Sequence, residues 1–163
     1  IYKSKMNRNF IVLCGPGNNG GDGLVISKVL KKLNQNITLY CLDHKSYKGD
    51  AKIAYNKNNL TKKKYTDLYI PKNSVIIDCL FGIGISRNVK GFYKKIVKKI
   101  NSSKQHVISI DIPSGINGNN GKVMGVAIKA NSTYTLHAKK IGLTVNSGMK
   151  YSGKISIVGI GIK

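Results

Sequence analysis

Glutamate is absent from this chain, and arginine occurs only twice, at Arg8 and Arg87. Asp22, Asp43, Asp50, Asp67, Asp78 and Asp111 are therefore its entire supply of side-chain carboxylates. No apolar run approaches the roughly 18 residues that a membrane-spanning helix needs, so no membrane span is expected. Cys14, Cys41 and Cys79 are odd in number and form no C-x-x-C pair, which argues against zinc and dithiol redox motifs. Each adjoins an apolar run and reads as a small buried residue in a reducing compartment. The first residue is Ile, not Met, so the chain reads as a fragment, and any targeting peptide would lie outside it.

A net charge of +22 raises the question of nucleic acid. The cations are almost all lysine, whereas specific readers of bases lean on the arginine fork. They are spread over the whole chain, with no RNA-recognition or zinc-finger pattern among them. The surplus reads as solvated lysine faces, and no nucleic-acid partner is expected. At 163 residues the chain is long enough for one domain with a proper core.

Three stretches carry the chemistry. The first is Cys14-Gly15-Pro16-Gly17-Asn18-Asn19-Gly20-Gly21-Asp22-Gly23. An apolar strand is predicted before it at 10–13, and a helix after it at 24–33, with Val25, Ile26, Val29, Leu30 and Leu33 as its buried face. Glycines between a strand and a helix let backbone approach a ligand, and the helix start offers free N–H groups to an anion. Gly15, Gly17 and Gly20 fit the G-x-G-x-x-G fingerprint, a match that any glycine-rich loop makes easily. Asn18, Asn19 and Asp22 are less usual there. They add oxygens suited to a metal ion or a proton transfer rather than to phosphate.

The second stretch is Asp78-Cys79-Leu80-Phe81-Gly82-Ile83-Gly84, at the end of a predicted strand at 75–77. Its loop continues through Ile85, Ser86, Arg87 and Asn88 to a helix at 90–101 with Phe92, Tyr93, Ile96, Val97 and Ile100 inward. The third is Asp111-Ile112-Pro113-Ser114-Gly115, delivered by a strand at 107–110. Between the first two, a strand at 37–42 ends at Asp43, and a weak helix is predicted at 48–58. A solvated lysine-rich connection follows at 56–64, then a short strand at 65–70. Strands at 132–137 and 155–158 follow the third. Alternating strands and helices predict an α/β fold: a Rossmann-like three-layer sandwich with a mostly parallel central sheet and helices on both faces. Ligands in such folds bind outside the carboxyl ends of the strands, which gathers Asp22, Asp78 and Asp111 at one rim. Any one aspartate is more often a turn former or cap. Three at strand ends together favour a site.

These residues resemble the NAD(P)H-hydrate epimerase family, the YjeF N-terminal domain. The resemblance rests on 15–23, 78–84 and 111–115, and extends through Ala130 to Lys139-Lys140-Ile141-Gly142-Leu143 and Tyr151-Ser152-Gly153. It treats residues 1–163 as a single such domain lacking the family's N-terminal helical segment. It implies a metabolite-repair isomerase that interconverts the R and S epimers of hydrated NADH or NADPH. A partner ADP- or ATP-dependent dehydratase, fused or separate, would then restore the coenzyme. Carried over by motif, Asn18, Asn19, Gly20, Gly21 and Asp22 contact substrate, together with Gly82, Ile83, Gly84, Ile85, Ser86, Arg87 and Asn88. Asn19, Asp78 and Ser114 ligate a potassium ion. Asp111 binds substrate and is the acid/base group. A cytoplasmic homodimer is expected. The sequence departs from the family at Asn117, Asn119 and Asn120, and at Lys90, where relatives often carry acids. Two other readings compete. An NAD(P)-dependent oxidoreductase would use the glycine fingerprint and Asp43, about 20 residues on, for the ribose. A non-catalytic nucleotide-binding module would keep the fold without the chemistry.

Overall fold

The computed structural model describes residues 8–159 and 161. The strands are β1 (Asn9–Cys14), β2 (Asn36–Tyr40), β3 (Lys62–Lys63), β4 (Ser74–Cys79), β5 (His106–Ile110), β6 (Ser132–Leu136) and β7 (Lys154–Val158). The helices are α1 (Asn18–Lys32), α2 (Gly49–Asn56), α3 (Gly91–Ser102) and α4 (Asn146–Tyr151). All seven strands are parallel, in the order β3-β2-β1-β4-β5-β6-β7. The chain runs outward from β1 to β3, returns to the far side of β1 as β4, and then proceeds the other way. The carboxyl ends of β1 and β4 thus flank the point where strand order reverses, and a crevice opens there.

Because successive strand residues face opposite ways, β1 feeds two cores. Phe10, Val12 and Cys14 pack with Leu24, Leu30 and Ala51 beneath α1 and α2. Ile11 and Leu13 pack with Ile96, Val97 and Ile100 beneath α3 on the other face. This two-sided burial is why β1 and β4 are almost unbroken apolar runs. Residues 111–131 join β5 to β6 without a helix, around a third small core of Ile112, Ile116, Ala127 and Leu143. Cys14, Cys41 and Cys79 are free and buried. None of the described helices is long and apolar enough to cross a membrane.

Several local expectations are overturned. The helix after the first motif begins at Asn18, so Asn18 to Gly23 form its first turns rather than a loop. Its buried face is Gly20, Gly23, Leu24, Ser27 and Leu30, while Val25, Val29 and Leu33 are 55%, 49% and 46% exposed. Close approach decides this. A Cβ on Gly20 would stand 1.8 Å from the Gly15 carbonyl oxygen, and one on Gly23 would stand 2.7 Å from Cys14 Sγ. Only the glycine face lets α1 settle that near the sheet. The strand predicted at 65–70 is a single 3₁₀ turn, Tyr65–Asp67, and the edge strand β3 lies inside the lysine-rich connection instead. Edge pairing needs backbone rather than apolar side chains. On α3, Phe92 is 44% exposed rather than inward, its ring set edge-on against Tyr65 and Tyr93.

Candidate active site at the ends of β1, β4 and β5

The polypeptide leaves β1 in a tight turn. The Gly15 amide donates to the Cys79 carbonyl at 2.9 Å, and a Cβ on Gly15 would meet the Leu80 carbonyl oxygen at 1.7 Å. Only glycine allows the β1 and β4 exits to run so close. Gly17 then caps α1 through its backbone alone, with open space where a side chain would be. A cavity of about 550 Å³ opens here, lined by Pro16, Gly17, Asn18, Asn19, Asp22, Gly82, Ile83 and Asp111, among others. A second lobe of about 680 Å³ shares Phe81, Gly84 and Ile85 with it and extends past Ser86, Arg87 and Asn88 to Lys90 and Tyr93.

Asp78 lies beneath this floor, fully buried near the carboxyl end of β4. Four donors hold its carboxylate. The Ser114 amide and the Ser109 hydroxyl donate to Oδ2 at 2.9 and 2.8 Å, and the Ser114 hydroxyl and the Leu80 amide donate to Oδ1 at 2.6 and 3.2 Å. Burial pushes the Asp78 carboxyl above the ordinary range, and these hydrogen bonds only partly offset it. Ser114 Oγ also accepts from the Phe81 amide at 2.8 Å. Asn19 donates to the Phe81 carbonyl at 2.9 Å, which orients its amide. Asn19 Oδ1 is left buried with no hydrogen-bond partner among the described residues. The orphaned acceptor belongs to the amide that shares the Phe81 carbonyl with the Ser114 hydroxyl, itself bonded to Asp78, and oxygens of these kinds suit a hard cation.

Asp111 follows β5 with φ +67°, in the left-handed region. Its amide donates to the Tyr134 carbonyl at 2.8 Å, and its Oδ1 accepts from the Leu136 amide at 3.2 Å and from Lys140 Nζ. A Cβ on Gly82 would lie 3.9 Å from Asp111 Oδ2, so that oxygen sits at the cavity lining. Asp22 lines the same cavity, and its carboxylate has no hydrogen bond or ion pair among the described residues. Burial, then the charge of Asp111, pushes its carboxyl up.

The structure therefore brings Asn18, Asn19, Asp22, Gly82, Ile83, Gly84, Ile85 and Asp111 to one cavity. Ser86, Arg87 and Asn88 belong to the adjoining lobe, with Lys90. Gly20 and Gly21 line neither; they pack against Gly15 and Ala51. Asp78 and Ser114 support the floor from below rather than sharing the rim. Asp43 caps a short turn away from both lobes, and Asn117 folds its own loop by accepting from the amides of Asn119 and Asn120. Ser109 and Lys140 were assigned no role from the sequence, although Lys140 falls in the family-like tail. Ser109 is a polar residue inside an apolar strand, in register with Asp78, and that was its only signal.

Residues 1–142 match the family model described as YjeF-related protein N-terminus. An NAD(P)H-hydrate epimerase of Lentilactobacillus buchneri is 39% identical over 157 residues, covering 94% of this chain and 73% of that protein. One from Limosilactobacillus reuteri is 37% identical, covering 92% and 72%. A bifunctional NAD(P)H-hydrate repair enzyme of Coxiella burnetii is 37% identical over 155 residues, covering 93% of this chain and 32% of that protein. A yeast protein of known crystal structure superposes with a TM-score of 0.72 at 20% identity, covering 98% of this chain and 68% of that one, and so shares the fold.

Proposed function

The chain belongs to the YjeF-related protein N-terminus family, and on that premise we propose that it interconverts the R and S epimers of hydrated NADH and NADPH. The observation that carries the reading is the pair of carboxylates, Asp22 and Asp111, on one cavity. Epimerisation at the hydrated ring carbon needs the hydroxyl lost and regained, or the ring opened and reclosed. Either route needs a placed proton donor and acceptor. Asp111 is the acid/base group in this reading. The nicotinamide nucleotide is substrate, not redox cofactor.

The two lobes suit a dinucleotide. The hydrated ring occupies the lobe of Asp22 and Asp111, and the rest extends past Gly84 and Ile85, where Arg87 offers a phosphate its guanidinium fork. The free amides at the start of α1 add a second place for anionic oxygen. Asn19, Asp78 and Ser114 would hold a potassium ion, which would supply a fixed positive charge to the site; the orphaned Asn19 Oδ1 supports this assignment. The product passes to an ADP- or ATP-dependent dehydratase, and the bifunctional relative from Coxiella burnetii supports that partnership. The enzyme works as a homodimer in this reading.

The test is epimer exchange. Pure R-form hydrated NADH is supplied in potassium buffer, and the S form is followed against the spontaneous blank. Acceleration that falls by about 10²–10⁴-fold in Asp111→Asn is the expected result. Asparagine is the informative replacement, since it tolerates a left-handed backbone. Nucleotide binding without acceleration would make the protein a binding module instead.

A further inference from the structure

Lys140 comes from beyond β6, outside the loops that shape the cavity, yet its side chain ends on the site. Its Nζ donates to Asp111 Oδ1 and, at 2.7 Å, to the Leu136 carbonyl. Of 28 basic residues it is the one in an ion pair among the described residues. Pairing here is thus not a by-product of abundant lysine. The two side chains are only 18% and 13% exposed, so water screens the contact weakly. Lys140 and the Leu136 amide together occupy Oδ1 and leave Oδ2 toward the cavity. Among the described residues no cation pairs with Asp22.

We propose that Lys140 is a positioning residue that gives the two carboxylates unlike roles: Asp111, pinned through Oδ1, accepts a proton at Oδ2, and Asp22 donates one. This rests on the epimerase reading above. Two carboxyls in different surroundings are how one site holds an acid and a base together. Burial and the nearby charge of Asp111 favour the protonated form of Asp22. In a turnover, Asp22 gives its proton to the hydroxyl oxygen as the C–O bond breaks with its electron pair. Water departs, and the lone pair of the ring nitrogen forms a C=N bond. Water then adds to the other face of that carbon, the C=N pair returns to nitrogen, and the proton shed by the water passes to Asp111. One proton has moved from Asp22 to Asp111, and exchange with solvent resets both.

The test compares Lys140→Met, Lys140→Arg, Lys140→Ala and Asp22→Asn in the exchange assay. Lys140→Met is expected to lose about 10²-fold in kcat, the cost of a misplaced catalytic group, with KM held. Lys140→Arg should restore most of it. Ethylammonium added to Lys140→Ala should raise its rate, while tetramethylammonium, which has no N–H, should not. Asp22→Asn should lose about 10²-fold or more in kcat. If Lys140→Met does not fold, Lys140→Gln, neutral but still a donor to Leu136, carries the same expectation. Full kcat in Lys140→Met or Lys140→Gln, a loss that neither Arg nor ethylammonium restores, or full rate in Asp22→Asn overturns the proposal. Wild-type protein without exchange above the blank removes the epimerase reading and this inference with it. Wild-type exchange beside an unimpaired Lys140 variant removes this inference alone.

Discussion

Ser114 and Asp78 stand 36 residues apart and are joined twice, amide to Oδ2 at 2.9 Å and hydroxyl to Oδ1 at 2.6 Å. That joint ties the turn after β5 to the end of β4, and so links the two loops that carry Asp111 and Gly82. Ser114→Ala removes one of the four donors to a fully buried carboxylate. Urea denaturation should show a loss of about 1–3 kcal/mol, the cost of leaving a buried polar group short of a partner.

Stability should fall with rising pH because of Asp78 and Asp22. Burial raises both carboxyls above their unfolded values, so the folded state binds more protons between those values. Their contribution is fully present below the unfolded carboxylate range and is lost as pH rises through the folded one. Melting temperatures taken in choline chloride, from about pH 4 to neutrality, should decline in wild type and decline less steeply in Asp78→Asn. The asparagine lowers the whole curve as well, since an amide cannot accept on both sides. The slope is the readout, and an unchanged slope would refute the assignment.

Replacing choline chloride by potassium chloride at neutral pH should raise the melting temperature, as any ligand of the native state does. Asn19→Leu should abolish the rise, because it removes the unpartnered acceptor Oδ1. A rise that survives in Asn19→Leu would place the ion elsewhere.

Gly20 and Gly17 should respond oppositely to alanine. At Gly20 the new Cβ would lie 1.8 Å from a backbone oxygen, forcing α1 off the β1 turn, at a cost of about 1–3 kcal/mol or more. At Gly17, φ −92° suits any residue and nothing lies within 4 Å. Alanine there should leave stability equal or about 0.4–1 kcal/mol higher. Its methyl group would enter the cavity mouth, so substrate KM should rise.

On α1, neighbouring apolar positions differ in kind. Leu30→Ala should cost about 2–5 kcal/mol, and Val29→Lys should stay within about 0.5 kcal/mol of wild type, both by urea denaturation. Equal losses would return Val29 to the core.

The alternation of strands and helices was legible because β1, β4 and β5 are buried on both faces and so are nearly continuous apolar runs. The cavity residues Asn19, Asp22, Gly82 and Asp111 were legible because polar and glycine residues interrupt those runs where strands end. The orientation of α1 was not. Val25, Val29 and Leu33 repeat at helical spacing and outrank Gly20 and Gly23 on any hydrophobicity count, yet close packing on the sheet favoured the side without side chains. The edge strand β3 was hidden too, since Lys62 and Lys63 contribute backbone pairing and little else.

By itself, then, the chain's local chemistry determined the central strands and the main helices between them, their parallel arrangement, and that carboxylates would meet at one end of the sheet. Burial on two faces writes itself into composition, and turn chemistry is local. Only the tertiary structure decided that Asp78 would sink beneath the floor while Asp22 and Asp111 line it, that Asn19 Oδ1 would be left without a partner, and that Lys140 would reach Asp111. Those outcomes depend on distances between residues far apart in the chain, set by how closely α1 and the three loops pack at the carboxyl end of the sheet. No periodicity encodes such distances.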